Sequence, residues 1–302
     1  MSFEIFFQFF INGLVLSFIY SLVAIGFTLY FGVIDIIKFS HGDFLMLSSF
    51  LFLALIDFLF KDNGTIYYFS SLILTFFAMA TVGFLIAKYL IYPFRNSNKI
   101  NSLLMTLMLG LFVREATRLI YPNGSNPQAF FNPIQNISFD FLGVYLRLDS
   151  LLIIIFGLII FLSLYFFISK TKLGVSIRAV SQDQVTASLM GINTKRIIYI
   201  TFSLGAILAC FAGISNAIYY SEVNFSIGLW LGVIGFASAV VGGLGSIWGA
   251  IIGGFLFAFL QMFGAIFFQV PAYKDVFAFF IIIIIMIIKP TGIIQESAVK
   301  RV

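Results

Sequence analysis

The residues with the clearest capacity for chemistry lie in one short stretch, Asp35-Ile-Ile-Lys38-Phe-Ser-His41-Gly42-Asp43. Four titratable side chains fall within nine positions, with long apolar runs on both sides. Ionisable groups inside a membrane are costly and mark routes for solutes, ions or protons. His41 suits a proton relay, and equally a hydrogen bond that holds a break between helices. The stretch is either a short loop or a broken helix that reaches into the membrane. A second group is Arg114, Glu115 and Arg118. The two arginines share one helical face, and Glu115 reaches Arg118 at i+3. These residues either line an outer vestibule, where a zwitterionic solute meets both signs of charge, or snorkel to the headgroups at the end of their span. The snorkelling reading is favoured slightly. A third pattern is Gly242-Gly243-Leu-Gly245-Ser-Ile-Trp-Gly249, followed by Gly253 and Gly254. Such glycines allow helices to approach closely or line a pore with backbone groups, and both can hold together.

None of this resembles a catalytic constellation. One cysteine and one histidine cannot build a metal cluster. His41 has no serine or cysteine partner in a recognisable arrangement. No G-x-x-x-x-G-K-[ST] run is present, so the chain does not itself cradle nucleotide phosphates. Cys210 lies in an apolar span and reads as a small packing residue. Acids are almost absent from mid-span positions, which argues against an ion-coupled secondary transporter.

The elements that position these residues must be membrane helices. The 302-residue chain is 61% hydrophobic and 10% charged, against roughly 25% charged for soluble domains. The net charge of +5 resides in basic residues at span ends. That pattern is an orientation signal rather than a nucleic-acid footprint. The expected fold is all-α: a polytopic helical membrane protein of about 8–10 transmembrane helices, forming a single transmembrane domain over residues 1–302. Nine apolar spans can be traced, the first from about 5 to 31. It lacks a positive n-region and is read as retained rather than cleaved. Turns or loops fall at 61–65, 93–99, 121–147, 170–196, near Glu222, at 242–249 and at 271–275. Nine crossings put the N-terminus outside and leave 93–99, 170–196 and the tail Lys300-Arg301 inside, as the positive-inside rule requires. A re-entrant 35–43 changes the count to eight or ten.

The segment 170–196 carries Lys170, Lys172, Arg178, Lys195 and Arg196 against one acid, Asp183. It is expected to hold a short helix over 181–190. Ser181 reads as its N-cap, Gln184 completes a capping box, and Gly191 takes the left-handed residue beyond its end. Val185 with Leu189, and Thr186 with Met190, form a mildly apolar face. The segment either presents this helix to a partner or simply caps the bundle. A weak internal repeat sets the break near 35–43 against the break near 242–249, one in each half of the chain. Paired interrupted helices of this kind point to a transport route.

Four segments, in order, carry a resemblance. GFTLYFGVIDIIKFSHGD at 26–43 resembles the H-G-[ED] signature of branched-chain amino-acid ABC transporter permeases. LGVSIRAVSQDQVTASLMGINTKRI at 173–197 resembles the coupling loop of that family, and VVGGLGSIWGAIIGG at 240–254 and KPTGI at 289–293 match its C-terminal half. The resemblance covers almost the whole chain and is to the LivH-like subunit. It implies a LivM-like second permease, two cytoplasmic ATP-binding subunits that bind ATP and Mg, and a periplasmic solute-binding protein. No cofactor is implied in this chain. It also implies import of leucine, isoleucine and valine across a bacterial inner membrane, with urea and short-chain amides as the competing substrates. Lys38 stands where the family commonly has Asn, and Asp43 where it has Glu. The expected translocation residues are Lys38, His41, Gly42, Asp43, Arg114, Glu115, Gly242, Gly243 and Gly245. The expected ATPase-coupling residues are Arg178, Ser181, Gln184, Leu189, Met190 and Gly191.

Overall fold

The computed structural model describes residues 3–59, 65–95, 97–130, 132, 134, 137–141, 144–268 and 270–294. The expected turn beginning at Lys61 and the basic tail Lys300-Arg301 lie outside the described residues. Long helices dominate because the apolar spans leave the backbone no partner but itself. The first is α1 (Phe3–Ile34), which ends where Asp35 turns left-handed at φ 54°. After it come α2 (His41–Ala54), extended by a π-helical turn over Leu55–Leu59, and α3 (Thr65–Ile86), extended by a second π-helical turn over Ala87–Ile91 and the short α4 (Tyr92–Phe94). Next are α5 (Lys99–Ile120) and α6 (Leu148–Lys170), then the short pair α7 (Lys172–Gln182) and α8 (Gln184–Leu189). The chain closes with α9 (Thr194–Tyr220), α10 (Ile227–Gly242), α11 (Ile247–Phe268) and α12 (Lys274–Ile288).

Five of the described helices are long and apolar enough to cross a membrane, those beginning at Glu4, Ile66, Leu148, Thr194 and Ile247. The helices α2, α5, α10 and α12 are shorter or more polar and supply the remaining apolar elements read from the sequence. α1 is apolar on every side, as a helix enclosed by others must be. It runs through the centre, against α11, α9 and α10. Small residues set these approaches: a Cβ on Gly254 would fall 2.5 Å from the Ser21 backbone nitrogen. The outward faces of α3, α5, α6 and α12 carry exposed large apolar side chains such as Phe77, Phe112, Phe166 and Ile287.

The two ends of the bundle differ. At one end Lys99, at the start of α5, pairs with Asp35, and the Lys195 ammonium stands 5.2 Å from the Tyr92 ring centroid. This end gathers 93–99, 170–196, the α10–α11 turn and the end of α12, and is called the basic end here. At the far end short strands tie the loops together. β1 (Gln128–Ala129) pairs antiparallel with β4 (Glu222–Val223), so that Ala129 faces Glu222. β2 (Ser138–Phe141) and β3 (Val144–Arg147) form an antiparallel hairpin with Ser138 opposite Arg147. The two segments expected outside, 121–147 and the loop near Glu222, are therefore joined.

Candidate functional site

The break after α1 is not a surface loop. Residues 36–40 run back alongside α1, and α2 begins at His41 in the interior. The imidazole packs edge-on against Phe27, 5.0 Å between centroids, and against Tyr30 at 5.3 Å. A Cβ on Gly26 would lie 2.1 Å from His41 Nε2. Gly26 is eight residues before the end of α1, so the tip of the His41 imidazole reaches about 12 Å inside the helix end at 1.5 Å per residue. The broken-helix alternative is the one this geometry supports. The two breaks of the proposed repeat are of different kinds. The first is a largely buried irregular segment that ends in a turn, with the His41 amide donating to the Lys38 carbonyl at 3.1 Å; the second is a tight turn between α10 and α11, with Gly243 at φ 114° and Gly245 at φ 98°.

Lys38 is fully buried in this irregular segment. Its ammonium stands 3.7 Å from the Phe44 centroid, 4.5 Å from that of Tyr30 and 5.3 Å from that of Phe202, and donates a long hydrogen bond to the Tyr30 hydroxyl at 3.5 Å. Among the described residues no carboxylate is within ion-pair reach of it. The rings of Tyr30, Phe44 and Phe202 form an aromatic cage around this nitrogen. Tyr30 fits because α9 offers no side chain at Gly205, where a Cβ would meet its hydroxyl at 2.3 Å.

Asp43, in the first turn of α2, is paired. Arg114 donates to Asp43 Oδ1 from Nε at 2.8 Å, and its Nη2 forms an ion pair with the same oxygen at 2.7 Å. The side chains are only 14% and 6% exposed, so the snorkelling expectation for Arg114 is corrected. Arg114 turns inward because α5 has no side chain at Gly110, whose Cβ would lie 2.3 Å from Asp43 Oδ2. Glu115 points elsewhere and pairs with Arg118 at 2.6 Å, the i,i+3 contact expected from the sequence. Gly42 lets α2 meet α10 backbone to backbone: a Cβ there would fall 2.0 Å from the Gly228 carbonyl oxygen. Gly228 and Gly232 were missed by the sequence reading, although they form a small-x-x-x-small pair that signals such contact.

The structure thus brings Lys38, His41, Gly42, Asp43 and Arg114 to one buried break. Gly242, Gly243 and Gly245 are not there but in the α10–α11 turn. Gly242 packs on Gly249, and Gly243 packs against 292–294, whose Ile293 and Ile294 amides donate to the Val241 and Gly242 carbonyls. This is the close-packing role for Gly242 and Gly243, whereas Gly245 lines a cleft.

The coupling segment differs from the expected single helix over 181–190. Ser181 is not an N-cap; it lies near the end of α7, and its hydroxyl donates to the Arg178 carbonyl at 2.8 Å. The cap of α8 is Asp183, whose carboxylate accepts from the Val185 and Thr186 amides at 2.8 and 3.2 Å. Asp has the same capping capacity as Ser, and a carboxylate gains further from the helix dipole. Gln184 makes no capping box. Its side-chain amide donates at 2.6 Å to the carbonyl of Val33, in the last turn of α1. Gly191 is left-handed at φ 83°, as expected. Val185, Leu189 and Met190 are 69%, 81% and 81% exposed. Arg178 and Ser181 instead face a cleft between α1, α6 and α11. No cluster of metal-binding side chains occurs among the described residues.

A bundle of apolar helices around a buried, charge-bearing break is the architecture of a multi-pass membrane protein. Residues 9–286 match the family described as branched-chain amino acid transport system / permease component, and the chain belongs to that family. It is 31% identical to the high-affinity branched-chain amino acid transport system permease protein BraD of Pseudomonas aeruginosa, over 97% of this chain and 96% of that one. It is 30% identical to the high-affinity permease protein LivH of Escherichia coli strain K12, over 100% and 99% of the two chains. The ribose import permease protein RbsC of Escherichia coli K12 is 27% identical over 60% of this chain and 55% of its own. In fold the chain is similar to a chain of PsaBC from Streptococcus pneumoniae in complex with Fab, with TM-score 0.51, 16% identity and coverage of 94% and 93%.

Proposed function

We propose that this chain is the LivH-like permease subunit of an ABC importer that carries leucine, isoleucine and valine across a bacterial inner membrane. The basic end faces the cytoplasm, as the positive-inside rule requires. A second, LivM-like permease stands beside it, and solute passes between the two. Two ATP-binding subunits hold ATP and Mg and perform hydrolysis, while this chain carries no catalytic group. A periplasmic binding protein delivers solute to the far end, where β1 and β4 join 121–147 to the loop near Glu222.

The observation that carries this reading, beyond the family relationship, is the tip of α8. Large apolar side chains exposed together at an aqueous end are characteristic of an interaction site. Leu189 and Met190 enter a cleft of an ATPase, and Gly191 sets the turn that projects them. Gln184 then transmits the movement of α8 to the last turn of α1 through the Val33 carbonyl. The adjoining break carries Lys38, His41 and Asp43. In that scheme Arg114 and Asp43 offer both signs of charge to a zwitterionic solute when the break opens.

Affinity purification from native membranes in mild detergent, with the co-purifying chains identified by mass, tests this. A second permease and two P-loop ATPases are expected. A chain that purifies alone at every detergent strength contradicts it.

A further inference from the structure

A cleft of about 220 Å³ opens at the basic end between α1, α6, α7 and the start of α11. Its wall is divided. Arg178, Ser181 and Ser246 contribute polar groups, whereas Phe161, Tyr165 and Trp248 contribute an apolar side. Tyr165 and Trp248 are themselves in contact, 5.6 Å between centroids, and both are exposed. Among the described residues no Asp or Glu lines the cleft. Arg178 forms no ion pair among the described residues, and its one hydrogen bond is a long one to the Ser169 carbonyl at 3.5 Å. Exposed Lys170 and Lys172 follow directly on Ser169. Above the cleft, α6 and α11 present Leu158, Leu162, Phe166 and Ile252 outward, a flank that only lipid tails would solvate.

We propose that this cleft binds an anionic phospholipid from the leaflet at the basic end. The phosphate pairs with Arg178, the tyrosine and tryptophan rings sit at headgroup level, and the acyl chains lie along α6 and α11. Three features fix the ligand class: a cation without an acid partner, an aromatic pair at the interface, and an apolar flank continuous with the membrane. A soluble anion would use the first of these and leave the other two unused. The bound lipid would bridge α7 to the central helix α1 at Gly32 and Val33 and to the α10–α11 turn at Gly245. The site requires only the membrane embedding, so it stands or falls apart from the importer reading.

The chain has two tryptophans, so Trp230→Phe leaves Trp248 as its sole reporter. The full-length variant is reconstituted in vesicles, and Trp248 emission is titrated with brominated phosphatidylglycerol or brominated phosphatidylcholine. The proposal expects half-maximal quenching at a mole fraction at least threefold lower for the anionic lipid. It expects Arg178→Gln to abolish that preference and Arg178→Lys to keep part of it. Unbrominated phosphatidylglycerol should reverse the quenching in the Trp230→Phe protein with Arg178 intact, an arm that does not depend on how Arg178 variants fold. Equal quenching by the two lipids, or a preference unchanged in Arg178→Gln, would overturn the proposal. So would reversal by soluble glycerol phosphate at millimolar concentration, which would mark an anion site rather than a lipid site.

Discussion

Removing one member of the Asp43–Arg114 pair should cost far more than removing both. Arg114 donates from Nε to Asp43 Oδ1 at 2.8 Å, its Nη2 stands 2.7 Å from the same oxygen as an ion pair, and the two side chains are 14% and 6% exposed. In Arg114→Gln the carboxylate remains enclosed, with α5 packed against it at Gly110. Leaving one charge of a buried pair alone costs about 3–5 kcal/mol. The double variant Asp43→Asn/Arg114→Gln keeps similar shapes and leaves no charge behind, so it should lie within about 1.5 kcal/mol of the parent. The resulting coupling energy is then larger than about 2 kcal/mol, well above the roughly 0–1 kcal/mol of an exposed pair. Denaturant unfolding of the purified protein in mild detergent, for the parent, both single variants and the double variant, measures it. The same double variant should assemble yet take up solute poorly, because both charges proposed to meet a zwitterion are gone. Additive single-variant losses, each below about 1 kcal/mol, would refute the reasoning that this is a desolvated pair.

Gly26→Ala should greatly reduce the yield of monodisperse protein, since its Cβ would lie 2.1 Å from His41 Nε2; Gly26→Ala/His41→Ala should recover it, as size-exclusion profiles would report. Gly191→Ala meets no atom within 4 Å and should cost only the left-handed backbone penalty of about 1–2 kcal/mol, read from the unfolding midpoint. Leu189→Ser/Met190→Ser should change stability by less than about 0.5 kcal/mol, because both side chains are exposed, while abolishing co-purification of the ATPases. A double variant that still retains the ATPases would remove α8 from the coupling interface.

Local patterns were the legible part of the sequence. Apolar run lengths marked the helices, and the i,i+3 spacing of Glu115 and Arg118 predicted their pair. Gly191 was placed correctly because a left-handed residue after a helix favours glycine for a reason that lies within the residue itself. Contacts between distant segments were not legible. Arg114 looked like a residue that reaches the headgroups, since nothing in its own helix shows that Asp43, 71 positions earlier, lies beside it. The cage around Lys38 draws Tyr30, Phe44 and Phe202 from three helices, and aromatic residues in apolar spans carry no mark that sets these three apart. Ser181 and Asp183 are both good caps two residues apart. The choice between them depends on how far α7 continues, which is settled by packing against α1 and α6. Gln184 had no local signal for its bond to Val33, because its acceptor is a backbone carbonyl on another helix.

Uptake of labelled leucine into vesicles, measured with the permease complex, its ATPases and its binding protein reconstituted together, tests the central claim most directly. Accumulation should require ATP and the binding protein, and should not respond to a proton or sodium gradient. Leucine accumulation by this chain alone, driven by an ion gradient without ATP, would contradict the account.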